Sequence, residues 1–371
     1  MSELSKPWLD TRLPALERLR AHLNAPVLPR ERPYLASLPV LITGALIFQL
    51  LSGFVLSLFY NPADAFNSIQ FIDRSVNDGW LIHAFHETGT TMIFGAVYLS
   101  LFRALLLRSY KAPGEMVWFL NLAQFLLLLL VGYLGYVLAD GAVSYWSLAN
   151  ATSSALGLNG LPGALGVWFF GGPDGAGTLP RLAVFHAVLA LAIFGILLLH
   201  YVAQRGVSPR LERGVPLHPY YTAQYFVAFV VFALIFAVLV FFAPHLGENP
   251  LNRGPANPLV LPITLTAPWY LLAISNAGHA FPGTWGAIFA VVAKIGLLFA
   301  LPWLDRSAPA KPPGFLHKLL VFILALDVIL LSISAMQAPS LIGSILIIVF
   351  TAYYFLHFIV LLPLTTAMET K

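Results

Sequence analysis

The side chains able to do chemistry are few: ten histidines, 16 carboxylates and no cysteine in 371 residues. The lack of thiols excludes disulfides, thiolate metal sites, iron–sulfur ligation and covalent attachment of a c-type haem. A metal must therefore be held by imidazole or carboxylate. His86 and His186 occupy long apolar segments that run in the same direction, at matching depths. His200 follows His186 by 14 residues, which at about 100° each returns to nearly the same helical face some ~21 Å further along. Two helices offering opposed imidazoles can hold a haem edge-on by bis-histidine ligation. Membrane histidines also serve as interhelical hydrogen bonders and proton relays, and geometry alone weighs these uses equally. Gly53 and Gly135, at the same depth on two further segments, would leave room for a flat macrocycle. Glycine in membrane helices also serves plain packing.

Those segments belong to a chain that is 59% hydrophobic and 10% charged, with mean hydropathy +0.82. Soluble domains carry roughly 25% charged residues, so a water-soluble enzyme is excluded. Eight apolar stretches can cross a bilayer, at about 38–60, 82–107, 116–139, 180–204, 222–245, 284–303, 315–336 and 340–364. The stretch 145–170 is too glycine-rich to do so. Ahead of them, residues 7–24 space Trp8, Leu9, Leu13, Leu16, Leu19 and Leu23 at roughly helical intervals between charges. This predicts an amphipathic helix on the membrane surface or against a partner subunit. The first 37 residues are charged and proline-punctuated, which argues against a cleavable signal.

An even number of spans puts both termini on one side, and the basic residues select it. Sixteen of the 20 Lys and Arg fall there: six in the first 37 residues, nine after alternate spans, and Lys371. Arg74, Arg181 and Arg253 lie opposite, and Lys294 lies within a span. The positive-inside rule predicts cytoplasmic termini, in a bacterial inner membrane. The net charge of +4 is explained by this bias and does not call for nucleic acid. The outer side receives two long loops of low charge, 140–179 and 246–283, of the kind that forms lids or binding surfaces.

Seven stretches, in order, resemble the cytochrome b subunit of the Rieske/cytochrome bc family of quinol-oxidising complexes. They are FQLLSGFVLSLFYNP (48–62), GWLIHAFHETGTTM (79–92), GYLGYVLADGAVSYW (132–146), WFFGGPDGAGTLPRLAVFH (168–186), LHPYYT (217–222), ENPLNRGPANPL (248–259) and PWYLL (268–272). The resemblance implies an all-α integral membrane protein with eight transmembrane helices. Residues 1–37 would be a cytoplasmic amphipathic segment, 38–215 a four-helix haem bundle, and 216–371 a C-terminal domain carrying an outer quinol-site loop. It implies that His86 and His186 ligate an outer b haem, that Gly53 and Gly135 make room for it, and that Arg181 and His83 meet its propionates. The outer quinol pocket would draw on the 141–160 segment and on Trp269 and Tyr270. Implied partners are quinol, the lipid membrane, a Rieske iron–sulfur or multihaem c-type cytochrome subunit, and a second copy in a dimer.

The departures from the family pattern are concentrated in the inner half. An inner haem needs a histidine 14 residues after His86, where this chain has Ser100. The inner glycines are replaced by Thr43 or a neighbour and by Asn121, and the family's inner quinone-site histidine and aspartate align with Arg205 and Tyr225. Two outcomes compete at His200: an empty inner pocket, which the added side-chain volume favours, or a five-coordinate haem hanging from His200. In the outer loop, the family's proton-accepting glutamate aligns with Pro268, which cannot take a proton. Glu87, Asp140 and His279 are the titratable alternatives. The expectation is an electron-transfer subunit keeping only its outer b haem. The competing reading is a redox-poor scaffold that anchors peripheral cytochrome or Rieske subunits, and the retained set His86, His186, Gly53 and Gly135 argues against it.

Overall fold

The computed structural model describes residues 21, 26–28, 34–171, 177–207, 214–262, 265–309, 311–336 and 340–369. The amphipathic helix expected at 7–24 lies outside the described residues. Within a bilayer every backbone N–H and C=O must be paired inside the segment itself, so apolar runs of this length become helices. The spanning helices are α1 (Leu38–Ser57), α3 (Gly79–Leu106), α4 (Glu115–Val137), α7 (Thr178–Val207), α8 (Thr222–Phe242), α10 (Gly283–Leu304), α11 (Phe315–Met336) and α12 (Leu341–Leu356). A π-turn, His357–Leu361, carries α12 into the terminal helix α13 (Leu362–Glu369). Among the described residues, eight helices are long and apolar enough to span, as the hydropathy predicts. The protein is integral to the membrane.

The outer loops are more ordered than their composition suggests. They contain α5 (Ala142–Leu156), α6 (Leu161–Phe170) and α9 (Trp269–Ser275), and a further outer helix, α2 (Ala65–Ser75), precedes α3. Glycine lowers helix propensity, but it also permits close seating. At Gly141 a β-carbon would collide with the backbone of Asn252, and Asn252 Oδ1 accepts from Ser144 N at 2.8 Å. The only strands among the described residues, β1 (Pro26–Leu28) and β2 (Val215–Pro216), pair antiparallel.

In the N-terminal bundle α1 runs along α3, and α4 runs along α7. The mid-membrane core joins Leu46, Ile93, Phe94, Phe125, Leu128 and Ile193 to Tyr270 of α9. A second cluster, with Tyr110, Trp118, Leu301 and Phe358, joins α4 to the C-terminal helices. By contrast α8 exposes Phe226, Phe229, Leu234 and Phe241, an arrangement that lipid satisfies and water would not. The inner end is closed by a buried network. Arg108 meets Asp305 at 3.3 Å and Glu369 at 2.7 Å, and Tyr110 donates to Asp305 at 2.7 Å. Burial alone would raise the Asp305 carboxyl. Hydrogen bonds from Ser307 and Tyr110, and the Arg108 charge, hold it below the usual range instead.

Candidate haem site and outer loop cluster

His86 and His186 face each other across the outer half of the bundle, with ring centres 6.3 Å apart. An iron held between two imidazole nitrogens, with metal–nitrogen bonds of about 2 Å, sets ring centres roughly 6 Å apart. Both rings are oriented through Nδ1. His186 Nδ1 donates to the Val131 carbonyl at 3.0 Å. His86 Nδ1 lies 3.0 Å from Ser52 Oγ, whose own proton goes to the Gln49 carbonyl. The imidazole is therefore the donor, which leaves Nε2 of each ring as the nitrogen able to bind a metal. Gln49 Nε2 adds bonds to the His86 carbonyl at 2.6 Å and to Thr90 Oγ1 at 2.9 Å, which fixes α1 against α3 at this level.

The glycines sit against the same rings. A β-carbon on Gly53 would lie 2.8 Å from His86 Cε1, and one on Gly135 would lie 3.0 Å from His186 Cε1. Neither helix could carry a larger residue there without displacing the imidazole. Opposed rings at iron-spanning distance, with fixed tautomers and flanking close-approach glycines, fit a b-type haem, which would supply reversible one-electron chemistry when bound.

The hydrogen bond to Ser52 should tune this site. A donor bond from Nδ1 raises the basicity of the opposite nitrogen and favours ferric iron. Ser52→Ala is expected to raise the haem midpoint potential by on the order of 60 mV, about a tenfold shift in a one-electron equilibrium. Optical redox titration of the two proteins checks it, and an unchanged or lowered potential would count against the role assigned to Ser52.

The other expected residues are less uniformly placed. His83 is held by Asp73 at 2.8 Å, and Arg181 is exposed at the start of α7. Trp269 Nε1 reaches Thr91 Oγ1 at 3.4 Å. Tyr270 is buried, stacked on Phe94 at 3.9 Å, and donates to the Gly132 carbonyl at 2.8 Å, while the Tyr98 hydroxyl donates to the Tyr270 carbonyl at 2.6 Å. Both aromatic residues thus anchor α9 to the bundle. Glu87 converges with His245 and Glu248, their ligand atoms lying within 4.8 Å of one another, a set able to hold a cation or share a proton. Arg253 bonds Glu248 at 3.0 Å. Asp140 lies at the end of α4, where burial, and then nearby Asp64, push its carboxyl up. His245 and Glu248, like Gln49 and Ser52, escape sequence reasoning because their partners are distant along the chain.

At the inner level the cradle differs. Ser100 and Asn121 line a cavity of about 40 Å³ with Ile42, Gln124 and Phe125. Thr43 turns its hydroxyl onto the Pro39 carbonyl of its own helix at 2.8 Å. His200 makes a side-chain hydrogen bond with Gln204 of the same helix, while its Nδ1 has no partner.

A helix bundle that presents two oriented imidazoles across the outer half of a membrane is the arrangement a bis-histidine haem site requires. Comparison with known proteins agrees. Residues 32–207 match the model of the family described as cytochrome b/b6/petB, and residues 255–355 match cytochrome b(C-terminal)/b6/petD. Cytochrome b of Rickettsia bellii is 36% identical over 382 residues, covering 98% of this chain and 94% of that protein. Cytochrome b of Rhodospirillum rubrum is 33% identical over 380 residues, covering 98% and 93%. A solved structure titled "Hyperthermophilic respiratory Complex III" superposes with a TM-score of 0.87 at 28% identity, covering 98% of both chains. The chain belongs to the cytochrome b/b6 family.

Proposed function

We propose that the chain is the membrane electron-transfer subunit of a quinol-oxidising, bc-type respiratory complex and that it carries one b haem, on the outer side between His86 and His186. The observation that carries the single haem is the contrast between the two levels. The outer level has two oriented rings and two glycines at their faces. The inner level has Ser100 in place of a ligand, and Asn121 and Gln124 occupy the space around a small cavity.

Quinol would bind under the outer loops, beside Trp269 and Tyr270. Glu87, on the face of α3 toward His245 and Glu248, would take the proton that Pro268 cannot. His83 and Arg181 stand at the outer rim, where propionates would lie. Electrons would leave through the haem and through a Rieske or c-type cytochrome partner docked on the outer loops. The complex is dimeric, with cytoplasmic termini in a bacterial inner membrane.

One specific observation favours a second reading. His200 lies on α7 at the inner level, 14 residues past His186, and Nε2 of its ring would hold a five-coordinate haem. A pyridine haemochrome assay on the purified protein separates the alternatives. One haem per chain is expected, and two would establish a second haem on His200. None would leave the scaffold reading. Ser100→His should still give one, because Asn121 keeps its volume; a second haem in that variant would refute the packing argument.

A further inference from the structure

Two ionisable side chains outside the haem and quinol readings are buried near the middle of the C-terminal helices. Lys294 is 2% exposed and Asp327 is 4% exposed. Lys294 lies 11 residues past the outer start of α10 and Asp327 lies 12 past the inner start of α11. At 1.5 Å per residue each is about 16–18 Å along its helix, close to the centre of a ~30 Å hydrocarbon layer. Charged residues at that depth are costly, and those that occur mark proton or ion pathways more often than scaffolding.

Their surroundings are specific. Lys294 Nζ donates to the Ala273 carbonyl of α9 at 2.5 Å and stands 4.3 Å from the centre of the Tyr354 ring. Tyr354 in turn donates its hydroxyl to the Lys294 carbonyl at 3.1 Å. Both carboxylate oxygens of Asp327 are buried with no hydrogen-bond partner, and so is the Tyr353 hydroxyl. The titratable groups in electrostatic reach of the pair are Tyr353 and Tyr354, with Tyr98 beyond Tyr354. Among the described residues Lys294 is the cation in reach of Asp327. A cavity of about 70 Å³ opens beside Lys294, in the seam between the N-terminal bundle and the C-terminal helices. Its lining is mostly apolar and includes Leu324 and Val328 of α11, on either side of Asp327 in the chain.

A carboxylate stripped of water and given no donor is unstable as it stands. It requires either a proton or a water that links it to the ammonium. We propose that Lys294 and Asp327 form a proton-binding site halfway across the membrane, in which Asp327 takes up and releases a proton. No electron moves in this step. Hydronium gives its proton to the carboxylate and leaves water behind, and release is the reverse. The Lys294–Ala273 hydrogen bond ties the site to α9, the helix that begins with Trp269 and Tyr270, so its charge state is felt one turn from the outer pocket.

Dicyclohexylcarbodiimide, which attacks a carboxylic acid and not a carboxylate, tests the site on the full-length haem-loaded protein in phosphatidylcholine vesicles. Mass spectrometry of the peptide containing Asp327 should show labelling that rises as the pH is lowered, and none in Asp327→Asn. Lys294→Met removes the neighbouring cation and should raise labelling at fixed pH roughly tenfold or more. Unchanged haem absorbance reports that the variants fold, and the wild-type pH series stands even where one does not. An Asp327 that stays unlabelled at every pH, or labelling indifferent to both pH and Lys294, would overturn the proposal.

Discussion

Replacing His186 with alanine is expected to abolish the low-spin haem absorbance of this protein while leaving the chain in the membrane. In the proposed site the ring would supply one of the two nitrogens that hold the iron, and the water or void that replaces it cannot take over the anchor to Val131. His86→Ala should do the same, although Ser52 and Gln49 remain in place. The loss also has a stability cost. A ligand present at 100–1,000 times its dissociation constant stabilises the folded state by about 2.7–4.1 kcal/mol, so the variants should unfold correspondingly earlier in detergent. Visible spectra before and after dithionite reduction are sufficient to check this. Full haem content in the His186→Ala protein would remove the basis of the site.

Gly53→Val is the second change with a large expected effect, and it leaves both ligands intact. The first added carbon would lie 2.8 Å from His86 Cε1, and the branched methyls would crowd it further. The ring must move, and with it the nitrogen that faces the iron. Haem occupancy is expected to fall several-fold, with about 1–3 kcal/mol of destabilisation from overpacking. Gly44→Val on the same helix is the control, since a β-carbon there meets nothing within 4 Å. Equal haem content in the two variants would show that Gly53 is a packing glycine and nothing more.

The spans were legible because membrane helices announce themselves locally. A run of apolar residues long enough to cross must pair its own backbone, and no distant partner is needed for that decision. His86 and His186 were legible for a related reason, since parallel spans carry matching depths into space, and the flanking glycines follow the same rule. The resemblance to cytochrome b rested on motifs that are themselves local, such as GWLIHAFHETGTTM and ENPLNRGPANPL.

Other features depend on what comes near from elsewhere in the chain. The outer loops look irregular in a glycine-rich sequence, yet α5 and α9 dock on Asn252, Gly132 and Thr91 of distant elements, and α6 stacks Phe169 on Phe185 of α7. Trp269 and Tyr270 could be named from the PWYLL motif, but that their polar ends are engaged in holding α9 depends on α3 and α4. The clustering of Glu87 with His245 and Glu248 joins residues some 160 positions apart.

What the amino-acid sequence determined by itself was the membrane class, the number of spans, the candidate haem ligands and the serine at position 100. Each depends on residue type and on distance along one helix. Only the tertiary structure decided the tautomer of each imidazole, through Ser52 and the Val131 carbonyl, and the burial of Lys294 and Asp327 at mid-membrane depth. Those depend on short-range contacts between helices, and a hydrogen bond or a desolvated charge is decided within a few ångströms, a distance that sequence separation does not encode.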